Sequence, residues 1–142
     1  MVSARGDAIS GNEAGNLIRR NILLGDDRFA IEGPLAFRYG NVHVDGANGG
    51  MLYRFGSSSD AVDWIVRQLR LKEVEITTSD QLPLDFLAGT PRWWNPWQGD
   101  PPSYYFLAEE FPTGGERQLI VVFDAGESVI YVVEHFSDMP GI

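Results

Sequence analysis

Two apolar runs, Leu119-Ile120-Val121-Val122-Phe123 and Val129-Ile130-Tyr131-Val132-Val133, constrain this chain more than any other feature. A strand that is apolar at successive positions has no wet side, so both of its faces need cover. The connector Ala125-Gly126-Glu127 between the strands Arg117–Asp124 and Ser128–Phe136 is short. Strands joined this way pair as antiparallel neighbours. Ser103–Phe111 precedes them across Pro112-Thr113-Gly114-Gly115-Glu116, which completes a three-strand meander. The expected class is α+β: an antiparallel sheet with a C-terminal three-strand meander, one main helix packed on a face, and a Trp/Pro-rich loop as cover for the other.

The helix that fits this role is 58–71. Ser57, Ser58 and Ser59 offer N-cap hydroxyls, Asp60 and Asp63 put negative charge in the first turns, and Ala61, Val62, Ile65, Val66 and Leu69 form an apolar stripe. Asp63 and Arg67 are spaced to pair along its surface. Lys72–Thr78 then alternates, with Val74 and Ile76 opposed to acidic and polar neighbours, as in a strand with one wet face. Ser79–Pro102 holds five prolines, which forbid a long helix or a central strand and leave room for one helical turn at 84–87.

The N-terminal part is less regular. Residues 1–11 read as a poorly ordered arm and 12–142 as a single domain, with a helix over 12–24 weakened by Gly15 and by asparagines. Short strands at 29–32 and 35–39 flank Gly33-Pro34, which reads as a turn. Asn41–Asp45 and Met51–Phe55 read as a hairpin around a glycine-rich loop over 46–50. A chain of 142 residues buries about 70% of its unfolded surface, enough for a core without staples.

Charge is distributed unevenly. Residues 1–72 hold 9 basic and 8 acidic residues, whereas 73–142 hold 2 basic and 12 acidic. The formal charge of −9 therefore resides in the second half. Such a surface attracts basic partners in a salt-dependent way and disfavours direct nucleic-acid binding, which depends on Lys and Arg. There is no cysteine, which excludes disulfides and thiolate chemistry and fits a reducing cytoplasm. No leader-like or membrane-length apolar segment is present, so a cytoplasmic protein without a membrane partner is expected.

Motifs for chemistry are sparse. The two histidines are His43, which shares a strand face with Asp45, and His135, which reads as an edge residue at a strand end. No Gly-x-Ser-x-Gly elbow, phosphate loop, His-Glu-x-x-His helix or calcium loop occurs, and no cofactor, metal site or catalytic residue is assigned. This weighs against an enzyme. The most unusual segment is Arg92-Trp93-Trp94-Asn95-Pro96-Trp97, three indoles within five residues. It serves either as a lid on the sheet or as a partner anchor, since Trp and Arg dominate interface hot spots.

The expected function is a protein-binding module, an acidic inhibitor or immunity-type protein that neutralises a basic toxin, nuclease or other nucleic-acid-binding protein. Its partner-binding residues are assigned as Arg92, Trp93, Trp94, Trp97, Asp100, Glu109, Glu110, Glu116 and Glu127. Bacterial immunity proteins and small phage inhibitors are similar in being short, acidic and cysteine-free, a likeness of composition that transfers no residue. Two alternatives stand beside it: a carbohydrate- or ligand-binding protein or hydrolase using the tryptophan loop with carboxylates, and a structural subunit of an assembly.

Overall fold

A computed structural model describes residues 7–40, 48–74, 91–94, 103–110 and 116–137, with side chains at 8–38, 49–72, 91–94 and 118–135. In chain order the elements are β1 (Asp7–Ser10), α1 (Gly11–Asn21), β2 (Glu32–Gly40), β3 (Asn48–Gly56), α2 (Ser59–Gln68), β4 (Lys72–Val74), β5 (Ser103–Glu110), β6 (Glu116–Asp124) and β7 (Val129–Ser137). The described strands form one antiparallel sheet in the order β1-β2-β3-β7-β6-β5-β4. The α+β class and the C-terminal meander follow the sequence pattern. The two continuously apolar strands, β6 and β7, lie inside the sheet, where both of their faces are covered.

Strands β3, β6 and β7 contribute alternate residues to two cores. On one face, Tyr53, Phe55, Val121, Ile130 and Val132 pack beneath Ala14 and Ile18 of α1 and Ala61, Val62 and Ile65 of α2. The opposite face gathers Leu52, Ile120, Val122, Tyr131 and Val133 under Trp94. Each fully buried aliphatic side chain contributes about 1.5–3 kcal/mol of apolar burial, so both faces favour this register. A one-residue slip of β7 would exchange Val132 for Tyr131 and open both cores.

α2 begins where its capping chemistry starts: the Ser58 hydroxyl accepts from the Ala61 N–H at 3.3 Å. Its surface arginine bonds differently from expectation, because Arg67 Nε donates to the Asp63 carbonyl at 3.3 Å instead of to the carboxylate. α1 is shorter than the 12–24 pattern. After Asn21 the chain leaves the helix while Ile22 and Leu23 stay buried, and Leu24 and Gly25 take left-handed φ values of 51° and 86°. Arg19 braces the return by donating to the Asp26 carbonyl at 2.8 Å and to that of Phe29.

Three local readings are corrected. The expected arm contains β1, since Asp7–Ser10 pair with Arg38–Leu35 and Gly11 opens α1. Gly33-Pro34 is a bulge within a continuous β2 and not a turn: the register shifts between Glu32 and Leu35, and Gly33 has φ 55°. In the hairpin, Met51 faces Arg38 and Gly50 faces Tyr39, so β3 starts at Asn48, inside the expected loop. Residues 41–47, including His43 and Asp45, lie outside the described residues, as do 75–90 with the end of the 72–78 strand and the 84–87 turn.

Gly50 has a local reason to be glycine. A Cβ there would collide with the Glu134 carbonyl oxygen of the neighbouring β7 and lie 3.0 Å from the His135 Cα.

Sheet order also decides how charge is spread. β1, β2 and β3 come from the near-neutral half of the chain, while β7, β6 and β5 come from the acidic half; the strand sets meet at β3–β7, and α1 and α2 of the near-neutral half cover one face of β6 and β7. Within β7, β6 and β5, Arg117 stands among Glu109, Glu110, Glu116, Asp124 and Glu134.

Candidate functional site

The tryptophan segment is positioned by a tight turn in which the Trp94 N–H donates to the Pro91 carbonyl at 3.0 Å. This drives the Trp94 indole onto the sheet, where it is 8% exposed and meets the Tyr131 ring edge-on at 5.5 Å. Trp93 is half-buried and packs edge-on against Trp94 at 6.2 Å, and Arg92 is exposed. Of the two roles foreseen for the segment, Trp94 has the lid geometry, and its ring is not open as a platform for a sugar. Trp97 and Asp100 lie outside the described residues.

The aromatic chain continues to a cation. The Arg54 guanidinium lies 5.7 Å from the Tyr131 ring centroid, and its Nε donates to the Tyr131 hydroxyl at 3.3 Å. Arg54 in turn lines a groove of 580 Å³ at the end of the sheet, between the β2 bulge, the start of α2 and the β6–β7 turn. Glu32 and Glu127 line the same groove, with Ser57, Ser58 and Ser128 in its polar lining. Gly33, at the β2 bulge, is itself part of the lining. Ser128 there has φ 54°, and its carbonyl accepts from the Ser57 N–H at 3.0 Å.

The expected acidic residues do not form one patch. Glu109 faces Arg117 in register and Glu110 faces Glu116, all at the turn end of the β5–β6 hairpin. Glu127 is exposed on the turn beyond the opposite end of β6. A nine-residue strand such as β6 spans about 27 Å. Acidic positions therefore mark both ends of the C-terminal half, with the tryptophan cover on the face between them.

Other ionisable groups fall in structural roles. The exposed Arg28 side chain, bonded to Asp26 through a 2.7 Å ion pair, holds the half-buried Asp26 carboxyl below its ordinary value, and Asp26 raises Arg28 in return. Burial pushes the Tyr53 phenol above its ordinary value, the Asn21 amide donating to it at 3.2 Å pulls the other way, and Glu134 adds to the rise. His135, expected at an edge, is instead buried on the central strand β7, facing Gly50 and Gln118 in register.

Sequence reasoning missed Glu32 and Arg54 as groove residues. Neither belongs to a motif, and only the pairing of β2, β3 and β7 brings them near Glu127. Among the described residues no cluster of three or more metal-ligating side chains forms, and no helix is long and apolar enough to cross a membrane. Comparison with protein families, curated proteins and solved structures finds no match.

Proposed function

We propose that this protein is a binding module that neutralises a basic protein, in the manner of an inhibitor or immunity protein. The observation that carries the reading is the segregation of charge by the sheet order. The strands β7-β6-β5, drawn from the acidic half, are neighbours, and they carry Glu109, Glu110, Glu116, Asp124 and Glu134 against Arg117. A field of one sign steers a basic partner and accelerates its encounter. Proteins that bind nucleic acid are the natural class of such partners, because phosphate recognition requires a concentrated basic surface.

Two details support the surface. Glu110 and Glu116 occupy facing register positions at the turn end of the hairpin, which brings two formal negative charges to one place along the sheet. Half-buried Trp93 beside exposed Arg92 offers an apolar and a hydrogen-bonding contact on a base made rigid by Trp94.

The test is capture of the partner from host lysate, followed by kinetics with wild type and the Glu109→Lys/Glu110→Lys variant. We expect a partner of basic isoelectric point whose association slows at least tenfold in the variant at low salt. That difference should shrink toward 1 M salt, where the screening length falls to about 3 Å. An acidic partner, or equal association rates at low salt, refutes the reading.

A further inference from the structure

The groove beside the β6–β7 turn carries a set of charges whose arrangement is incomplete. Arg54 uses its Nε on the Tyr131 hydroxyl, and its terminal N–H groups have no protein acceptor among the described residues. Glu32 and Glu127 line the same groove, yet neither forms an ion pair with Arg54 or with another described residue. A surface arginine with two carboxylates at hand ordinarily closes onto one of them. Here the guanidinium lies against the Tyr131 ring and hydroxyl, so cation and carboxylates line one groove without closing onto each other.

We propose that this groove binds a free α-amino acid. Its carboxylate pairs with the terminal N–H groups of Arg54, which match a carboxylate in bidentate geometry. Its ammonium group, a donor with no acceptor capacity, is met by Glu32 and Glu127, and Ser57 and Ser128 offer further polar contacts at the groove wall. Ala30 and Val129 provide the apolar part of the lining, which suits a small aliphatic side chain. A volume of 580 Å³ falls within the range of small-molecule sites. A lone anion would leave Glu32 and Glu127 unanswered and a lone cation would face Arg54, whereas a zwitterion satisfies both signs. This site is separate from the acidic hairpin end on which partner binding rests, so either can fail without the other.

The probes are L-alanine, L-valine and L-leucine, each titrated at millimolar concentration into the isotope-labelled full chain while backbone amide resonances are followed. At least one should shift the amides of Glu32, Ser57 and Glu127 in a saturable way. The corresponding amino-acid amide, lacking the carboxylate, and the N-acetyl amino acid, lacking the ammonium, should each bind at least tenfold more weakly. Glu127→Gln, a substitution on an exposed turn, should weaken binding severalfold with the fold intact, and Arg54→Gln should abolish it. Arg54→Lys retains the charge but not the fork and should recover part of it. Absence of saturable shifts with all three amino acids overturns the proposal, as does equal binding of the amide and N-acetyl forms.

Discussion

Replacing Trp94 by alanine separates a lid from a partner anchor. Trp94 is the residue that closes the second core from outside the sheet, resting on Tyr131 with Leu52, Ile120, Val122 and Val133 beneath it. A buried aromatic covers about 150–250 Å², worth about 4–6 kcal/mol at 25 cal/mol per Å², and this is an upper figure because unfolded chains already bury part of that area. Direct measurements of Trp or Phe truncation in cores give about 3–5 kcal/mol. Loss of the edge-on contacts to Tyr131 and Trp93 is contained in that range. A domain of this size has about 5–15 kcal/mol in total, so Trp94→Ala should remove a large share of its stability. Equilibrium urea unfolding followed by circular dichroism reads this as a lower midpoint with little change in slope. Trp93→Ala, at a half-buried position, should cost about 2–3 kcal/mol by the same area argument. If Trp94→Ala costs less than about 1 kcal/mol, the indole is not sealing the core and the lid assignment is wrong.

Further predictions concern the backbone and the buried phenol. Gly50→Ala should destabilise by about 1–3 kcal/mol, because the neighbouring β7 backbone must shift to admit a Cβ; an unchanged thermal midpoint would contradict the close approach. Ser58→Ala should cost about 1 kcal/mol in urea unfolding, whereas Ser10→Ala, at an N-cap with no side-chain hydrogen bond, should cost much less. Tyr53 binds its proton more tightly when folded, so its contribution is complete below the unfolded value and is lost as pH rises from about 10 toward the folded one. Tyr53→Phe should therefore flatten the alkaline loss of stability while costing about 0.5–1.5 kcal/mol at neutral pH through the lost Asn21 hydrogen bond. An alkaline limb unchanged in slope would refute the assignment to Tyr53.

What could be read from the sequence was what neighbouring residues decide together. The meander was legible because its strands are joined by short connectors, and α2 because its cap, stripe and charges agree. β1 escaped notice because Asp7-Ala8-Ile9-Ser10 is too short for a period, and its pairing with β2 is set by partners some thirty positions away. Gly33-Pro34 carries the chemistry of a turn, and only the pairing of both flanks with β3 makes it a bulge. His135 was misplaced for a related reason, since the strand that covers its edge, β3, is drawn from the other half of the chain. The tryptophan lid was foreseen from the need to cover a second apolar face. The groove was not, because Glu32, Arg54 and Glu127 converge only through sheet order.

The central claim, that the segregated acidic half serves recognition, is tested most directly by Glu110→Lys, which turns a facing pair of like charges into a pair of opposite ones. Unfolding and partner association should move in opposite directions. The account expects a gain of about 0.2–1 kcal/mol in stability together with a slower, less salt-sensitive association with the basic partner. A variant that is more stable and associates as fast as wild type would show that the charge at the hairpin end has no part in recognition.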